Sequence, residues 1–93
     1  MTPEGKIVAY LQKRVKELGG RTRKVSWEGR VGAPDQLILL PGVHAFVECK
    51  APGKKPIAIQ LKEMERLRWA GFETFVVDSF ASVDSVLANL IRP

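Results

Sequence analysis

The sequence predicts a single α/β domain with a mixed central sheet flanked by helices, on the strength of three observations. Segments of helical and strand periodicity follow one another in the order α-β-β-β-α-β-α. Two of the strands are separated only by Pro41-Gly42-Val43, a connection short enough to make them an antiparallel hairpin. The chain of 93 residues suffices for one compact domain spanning 1–93 and not for two.

Thr2-Pro3-Glu4 opens the first helix: a threonine to cap, a proline suited to the first turn, and an acid at the positive end of the dipole. Ile7, Tyr10, Leu11, Val15 and Leu18 follow at helical spacing, and Gly19-Gly20 stops the helix. Residues 21–27 alternate as a strand does, with Arg23, Val25 and Trp27 on one side and Thr22, Lys24 and Ser26 on the other. Glu28 to Pro34 is rich in turn formers. Gln36–Leu40 and His44–Cys49 are the hairpin strands, and Asp35 opens the first of them.

A basic loop, Ala51 to Pro56, leads to a helix from about Ile57 to Ala70. Ile57, Leu61, Met64 and Leu67 or Arg68 form its apolar stripe, and Gly71 ends it. Thr74–Val77 is a short, apolar, buried strand. Ser79 or Ser82 then caps a last helix that carries Val83, Val86, Leu87, Leu90 and Ile91.

Fifteen Lys and Arg against ten Asp and Glu leave a net charge of +5, which favours a polyanionic partner. No apolar run approaches the roughly 18 residues of a membrane span, so no membrane partner is expected. Cys49 is the only cysteine. An intrachain disulfide is therefore excluded, which fits an intracellular setting. One histidine, His44, gives no basis for a zinc site or a serine-type triad.

The chemistry concentrates in Pro34-Asp35 and, thirteen positions after Asp35, Glu48-Cys49-Lys50. On a strand Glu48 and Lys50 share one face and Cys49 takes the other. Asp35 on the neighbouring strand can then approach Glu48. Two close carboxylates repel unless a cation lies between them. An all-oxygen set with room for water suits a hard divalent ion, Mg²⁺ or Mn²⁺. Lys50 cannot ligate while protonated; it is placed to steady charge on a phosphate. The Cys49 side chain is expected in the core.

Gly32-Ala33-Pro34-Asp35, Glu48-Cys49-Lys50, Gln60 on the following helix and Gly71 before a hydrophobic strand together resemble the VRR-NUC (virus-type replication-repair nuclease) group of the PD-(D/E)xK nuclease superfamily. The resemblance runs from Glu4 to the last helix and implies a restriction-endonuclease-like fold. It implies a metal-dependent endonuclease acting as a homodimer on branched DNA, four-way junctions foremost. It also implies a phage or bacterial protein at work inside a cell. By the same resemblance Asp35, Glu48 and the backbone carbonyl of Cys49 bind Mg²⁺ or Mn²⁺. Glu4 reaches the site from the first helix, through an intervening water, and Gln60 bonds the nucleophile, the phosphate or Lys50. The chain departs from the group's pattern at Val31, where a basic residue is usual, and at Gln36, where an apolar one is.

Arg21, Arg23, Lys24 and Arg30, with Lys54 and Lys55 beside the site, are expected to contact phosphates without reading sequence. Each of these roles has a plainer rival. Glu48 and Lys50 alone make an ordinary same-face pair, Glu4 is also a first-turn acid, and Gln60 is also a surface glutamine. Trp27 suits base stacking or packing, and Trp69 packing or a dimer contact. At the level of the whole chain, the rivals are a flap or nonspecific DNA nuclease and a DNA-binding module that keeps the fold without cutting.

Overall fold

The computed structural model describes residues 1–91 and confirms the element order. Helix α1 spans Pro3–Glu17, β1 Arg21–Lys24, β2 Gln36–Leu40, β3 Val43–Cys49, α2 Ala58–Trp69, β4 Glu73–Val77 and α3 Phe80–Leu90. The four strands form one sheet in the order β1-β2-β3-β4. Both β1–β2 and β2–β3 are antiparallel, and β3–β4 is parallel. The parallel pair needs a crossover, and α2 supplies it.

Capping fixes the helix starts. The Thr2 hydroxyl accepts from the Gly5 N–H at 3.0 Å. Ser79 and Ser82 bond reciprocally at 3.0 Å, so both serine candidates serve the last helix, Ser79 as the cap and Ser82 as its partner. Gly42, at φ 71°, closes the hairpin in the left-handed region that glycine alone enters freely.

Alternation splits the sheet into two faces. Ile38, Leu40, Val47, Cys49 and Val77 point to the side covered by α1 and α3, where they meet Ile7, Leu11, Val15, Val83, Val86 and Leu87. This is the main core. Leu11 is fully buried there, and truncating it to alanine would cost about 2–5 kcal/mol. The opposite face carries Leu37 paired with Phe46 and is covered in part by α2.

Four sequence expectations need correction. The first strand ends at Lys24, not at residue 27. The Val25 N–H still bonds the Asp35 carbonyl at 2.9 Å, but the Trp27 indole then donates to the Pro34 carbonyl at 2.6 Å and turns the chain. Asp35 precedes β2 instead of opening it. Strands β3 and β4 each begin one residue earlier than expected, at Val43 and Glu73.

The apolar stripe of α2 is also rotated. Met64 and Leu67 are buried as expected, but Glu63 completes the buried side, while Ile57 and Leu61 are 62% and 50% exposed. At 100° per residue, Gln60, Glu63, Met64 and Leu67 share one arc and Leu61 falls on its flank. Trp69 lies opposite that arc and is 90% exposed, so it does not pack within the chain.

Candidate active site

The hairpin register decides whether the acids meet. Gln36 pairs with Val47, so one further step sets Asp35 across from Glu48, and residues paired across a ladder share a face. That is the α2 side, the same side as Phe46. Beyond β2 the ladder toward β1 is held by the Val25–Asp35 bond, and the Trp27 indole fixes the preceding peptide. Trp27 is thus a positioning residue packed on Phe46, with ring centroids 5.2 Å apart. Gly32, at φ 87°, lets the approach loop run against α2; a Cβ there would press on the Ile59 backbone at 3.2 Å.

Glu48 is the centre of the cluster. Its Oε2 lies 3.4 Å from Lys50 Nζ and accepts from Gln60 Nε2 at 3.3 Å. The side chains of Glu48 and Lys50 are 14% and 16% exposed. Gln60 is oriented by a second bond, its Oε1 accepting from the Ile57 N–H at 3.0 Å. That half of a capping box turns the amide so that its NH₂ faces the carboxylate. The spacing Ile57–Gln60 carried this signal in the sequence; an apolar residue at the cap position hid it.

Burial, above all, raises the Glu48 carboxyl above its ordinary value. Lys50 pulls it back, and Asp35 and Glu4 push it up again. Both expected acids are therefore felt at Glu48, although Asp35 and Glu4 are themselves exposed. Cys49 is buried on the other face, and its thiol is pushed up to about 12 by desolvation and by the same three acids. The sulfur is an inert core group, as expected.

The donors fit a hard divalent cation. They are oxygens, and burial makes the ionised Glu48 carboxylate costly in a way that a bound cation would offset. Among the described residues, no three His, Cys, Asp or Glu side chains form a ligand group by themselves. The fit therefore rests on two carboxylates completed by a backbone carbonyl and solvent.

The expected DNA contacts divide. Arg21 and Arg23 pair with Leu39 and Leu37 and so share the face of Asp35 and Glu48, whereas Lys24 pairs with Gln36 and faces the other way. All three are exposed, as are Lys54 and Lys55. Arg30 instead bonds Glu63 at 3.0 Å, and Arg66 bonds the same Glu63 oxygen at 3.2 Å. Sequence reasoning missed this triad because Glu63 lies 33 positions beyond Arg30. His44 is exposed, with its ring edge-on to Phe72.

The protein named "Putative nuclease p44", of Acyrthosiphon pisum secondary endosymbiont phage 1, is 46% identical over 77 residues, covering 82% of this chain and 83% of that protein. A solved structure described as a VRR_NUC domain superposes with a TM-score of 0.86 at 48% identity, covering 94% of this chain and 96% of that one. The chain belongs to the VRR-NUC family. No protein-family model matches it. Its small α/β domain with a four-stranded mixed sheet is the VRR-NUC fold, and the family makes it a nuclease, a phosphodiester hydrolase. No helix among the described residues is long and apolar enough to cross a membrane.

Proposed function

We propose that this nuclease is a divalent-cation-dependent endodeoxyribonuclease that cuts branched DNA, four-way junctions foremost, as a homodimer. One observation carries the reading. Glu48 is a largely buried carboxylate whose ionised form burial disfavours, faced by Asp35 and contacted by a lysine and an oriented amide. Asp35, Glu48 and the Cys49 carbonyl would hold Mg²⁺ or Mn²⁺, with Glu4 reaching it through water. The cation supplies Lewis-acid polarisation of a phosphoryl oxygen and a water acidic enough to attack near neutral pH.

The chain's own groups do the rest. Lys50 Nζ, anchored on Glu48, offsets negative charge that grows on the phosphate as the water oxygen bonds phosphorus and the P–O bond to the leaving sugar oxygen breaks. Gln60 keeps the Glu48 carboxylate in one orientation and can turn toward the phosphate. Arg21 and Arg23 on the catalytic face, Lys24 behind them, and Lys54 and Lys55 in the loop after β3 would hold backbone phosphates. Arg30 would join them only through the guanidinium face that Glu63 leaves free.

A second copy is supported by the apolar residues α2 leaves outside, Leu61 and Trp69 among them. Two-fold symmetry would then present two sites to opposed strands. The test uses labelled four-way junction, flap, duplex and single-stranded DNA with Mg²⁺ or Mn²⁺. Paired symmetric nicks at the junction are expected from the natural chain and none from Asp35→Ala. Cleavage by Asp35→Ala at the unsubstituted rate would overturn the site.

A further inference from the structure

We propose that a cleft between the N-termini of α1 and α3 receives an unstacked nucleobase of the DNA strand being cut, a specificity contact that rests on the nuclease reading above. The cleft has a volume of about 400 Å³ and is lined by Pro3, Lys6, Ile7, Pro52, Ser79 and Phe80. That size falls in the range of small-molecule sites, which run from roughly 300 to 1,000 Å³.

Two walls tie the cleft to the active site. Pro3 adjoins Glu4, whose charge is felt at Glu48, and Pro52 stands two residues beyond Lys50. The cleft thus opens at the ends of the segments that carry Glu4 and Lys50. Lys6 is in the wall, and Lys54 and Lys55 follow Pro52 in its exposed loop. An apolar slot with a lysine in its wall suits a flat uncharged ring carried on a phosphate chain.

The wall is also built for stacking. Phe80 is 49% exposed yet held in place, because one of its faces stacks on Tyr10 with ring centroids 4.2 Å apart and planes 17° from parallel. Tyr10 is pinned in turn, its hydroxyl 2.9 Å from each Asp84 carboxylate oxygen, and Arg14 holds Asp84 at 3.1 Å. An aromatic ring braced through α1 and α3 loses little freedom when a base packs against it. The walls are almost wholly apolar, which predicts a contact tolerant of base identity.

A second copy of the chain is the weaker occupant, because α2 carries Leu61 and Trp69 on the other side of the sheet. The test measures DNA dissociation constants by fluorescence anisotropy in EDTA, which keeps the DNA whole. An abasic residue is moved through the nucleotides flanking the cut, for the natural chain, Phe80→Ala and Phe80→Leu. At one position the abasic residue should weaken binding by the natural chain about tenfold, the scale of base–aromatic stacking. The same abasic residue should have no further effect on Phe80→Ala, and Phe80→Leu should fall between. Circular dichroism checks that the variants fold; if they do not, the abasic scan of the natural chain decides alone.

Independent effects of the two changes, or an abasic scan flat at every position, would overturn the cleft. So would a loss of self-association in Phe80→Ala with DNA affinity unchanged. Cleavage by Asp35→Ala in Mg²⁺ would instead overturn the active site and leave these binding results standing. Absence of measurable binding to all the DNAs would count against both.

Discussion

Two glutamates on the α2 side of the sheet are nearly equally buried, with side chains 14% exposed for Glu48 and 8% for Glu63, yet they end in opposite electrostatic states. Hydrogen bonds from Arg30, then Arg66, hold the Glu63 carboxyl below its ordinary value. Burial holds Glu48 above it, even though Lys50 outweighs the repulsion that Asp35 and Glu4 add. A carboxylate that serves the fold is closed off by guanidinium groups. One that burial holds raised costs stability when ionised, a mark of groups retained for what they bind. Glu63 belongs to the first kind, and the proposed function puts Glu48 in the second.

The largest expected effect comes from removing the second kind. Glu48→Gln or Asp35→Ala should reduce cleavage by more than the roughly 100-fold typical of losing a supporting partner at a metal site, while DNA affinity holds or tightens. Glu63→Gln should leave the cleavage rate of the folded protein within a few-fold and lower the melting temperature instead. Gln60→Glu sharpens the contrast. It keeps an acceptor for the Ile57 N–H but turns a repelling oxygen toward Glu48, so cleavage should fall about 10- to 100-fold with the helix intact. Rate measurements beside melting curves separate the two glutamates. Equal loss of cleavage in Glu63→Gln and Glu48→Gln would erase the distinction.

The contrast also marks what could be foreseen from the chain. Glu48 and Lys50 were legible because strand alternation is local: two positions apart means one face. Asp35 needed the hairpin register, which the short Pro41-Gly42 connection nearly determines. Glu63 was not legible, because its partner Arg30 lies across a turn-rich segment with no periodicity to follow. The α2 stripe was misplaced for a related reason. Helical periodicity finds an apolar arc, but here the arc facing the sheet includes a charged residue that only the arginines make tolerable. The cleft beside Phe80 is likewise a product of three distant segments, and no motif announces it.

Stability against pH comes next in size, and the two glutamates pull it in opposite directions. Glu63 is depressed, so its contribution is complete above the unfolded value near 4.5 and is lost as pH falls through the folded one. Glu48 is raised, so the fold favours its protonated form. That contribution is complete below about 4.5 and is lost as pH rises through the folded value. Without divalent cation, Glu63→Gln should therefore flatten the acid limb of a melting-temperature profile, and Glu48→Gln the fall above pH 4.5. A cation bound by Glu48 would restore the loss at neutral pH, by about 2.7 kcal/mol at a hundred times its dissociation constant. Thermal melts with and without Mg²⁺ should show this shift in the natural chain and not in Glu48→Gln. An equal shift in both would place the cation elsewhere.

The smallest effect on the folded chain, and the sharpest probe of its outer surface, is expected at Trp69. It projects opposite the buried arc of Gln60, Glu63, Met64 and Leu67 and is 90% exposed, so Trp69→Ala should change monomer stability by no more than about 0.5 kcal/mol. If α2 forms the homodimer surface, the same substitution removes an aromatic anchor, a kind of residue that commonly carries about 2 kcal/mol or more of an interface. Self-association should then weaken by at least roughly 30-fold while the melting curve of the monomer stays in place. Sedimentation over a concentration series reads the two quantities separately. A natural chain that stays monomeric throughout the series would remove the dimer. A Trp69→Ala variant that dimerises as well as the natural chain would move the interface off α2. In either case Glu48 and its neighbours would be untouched, because Gln60 meets them from the buried side of the helix and Trp69 points away from it.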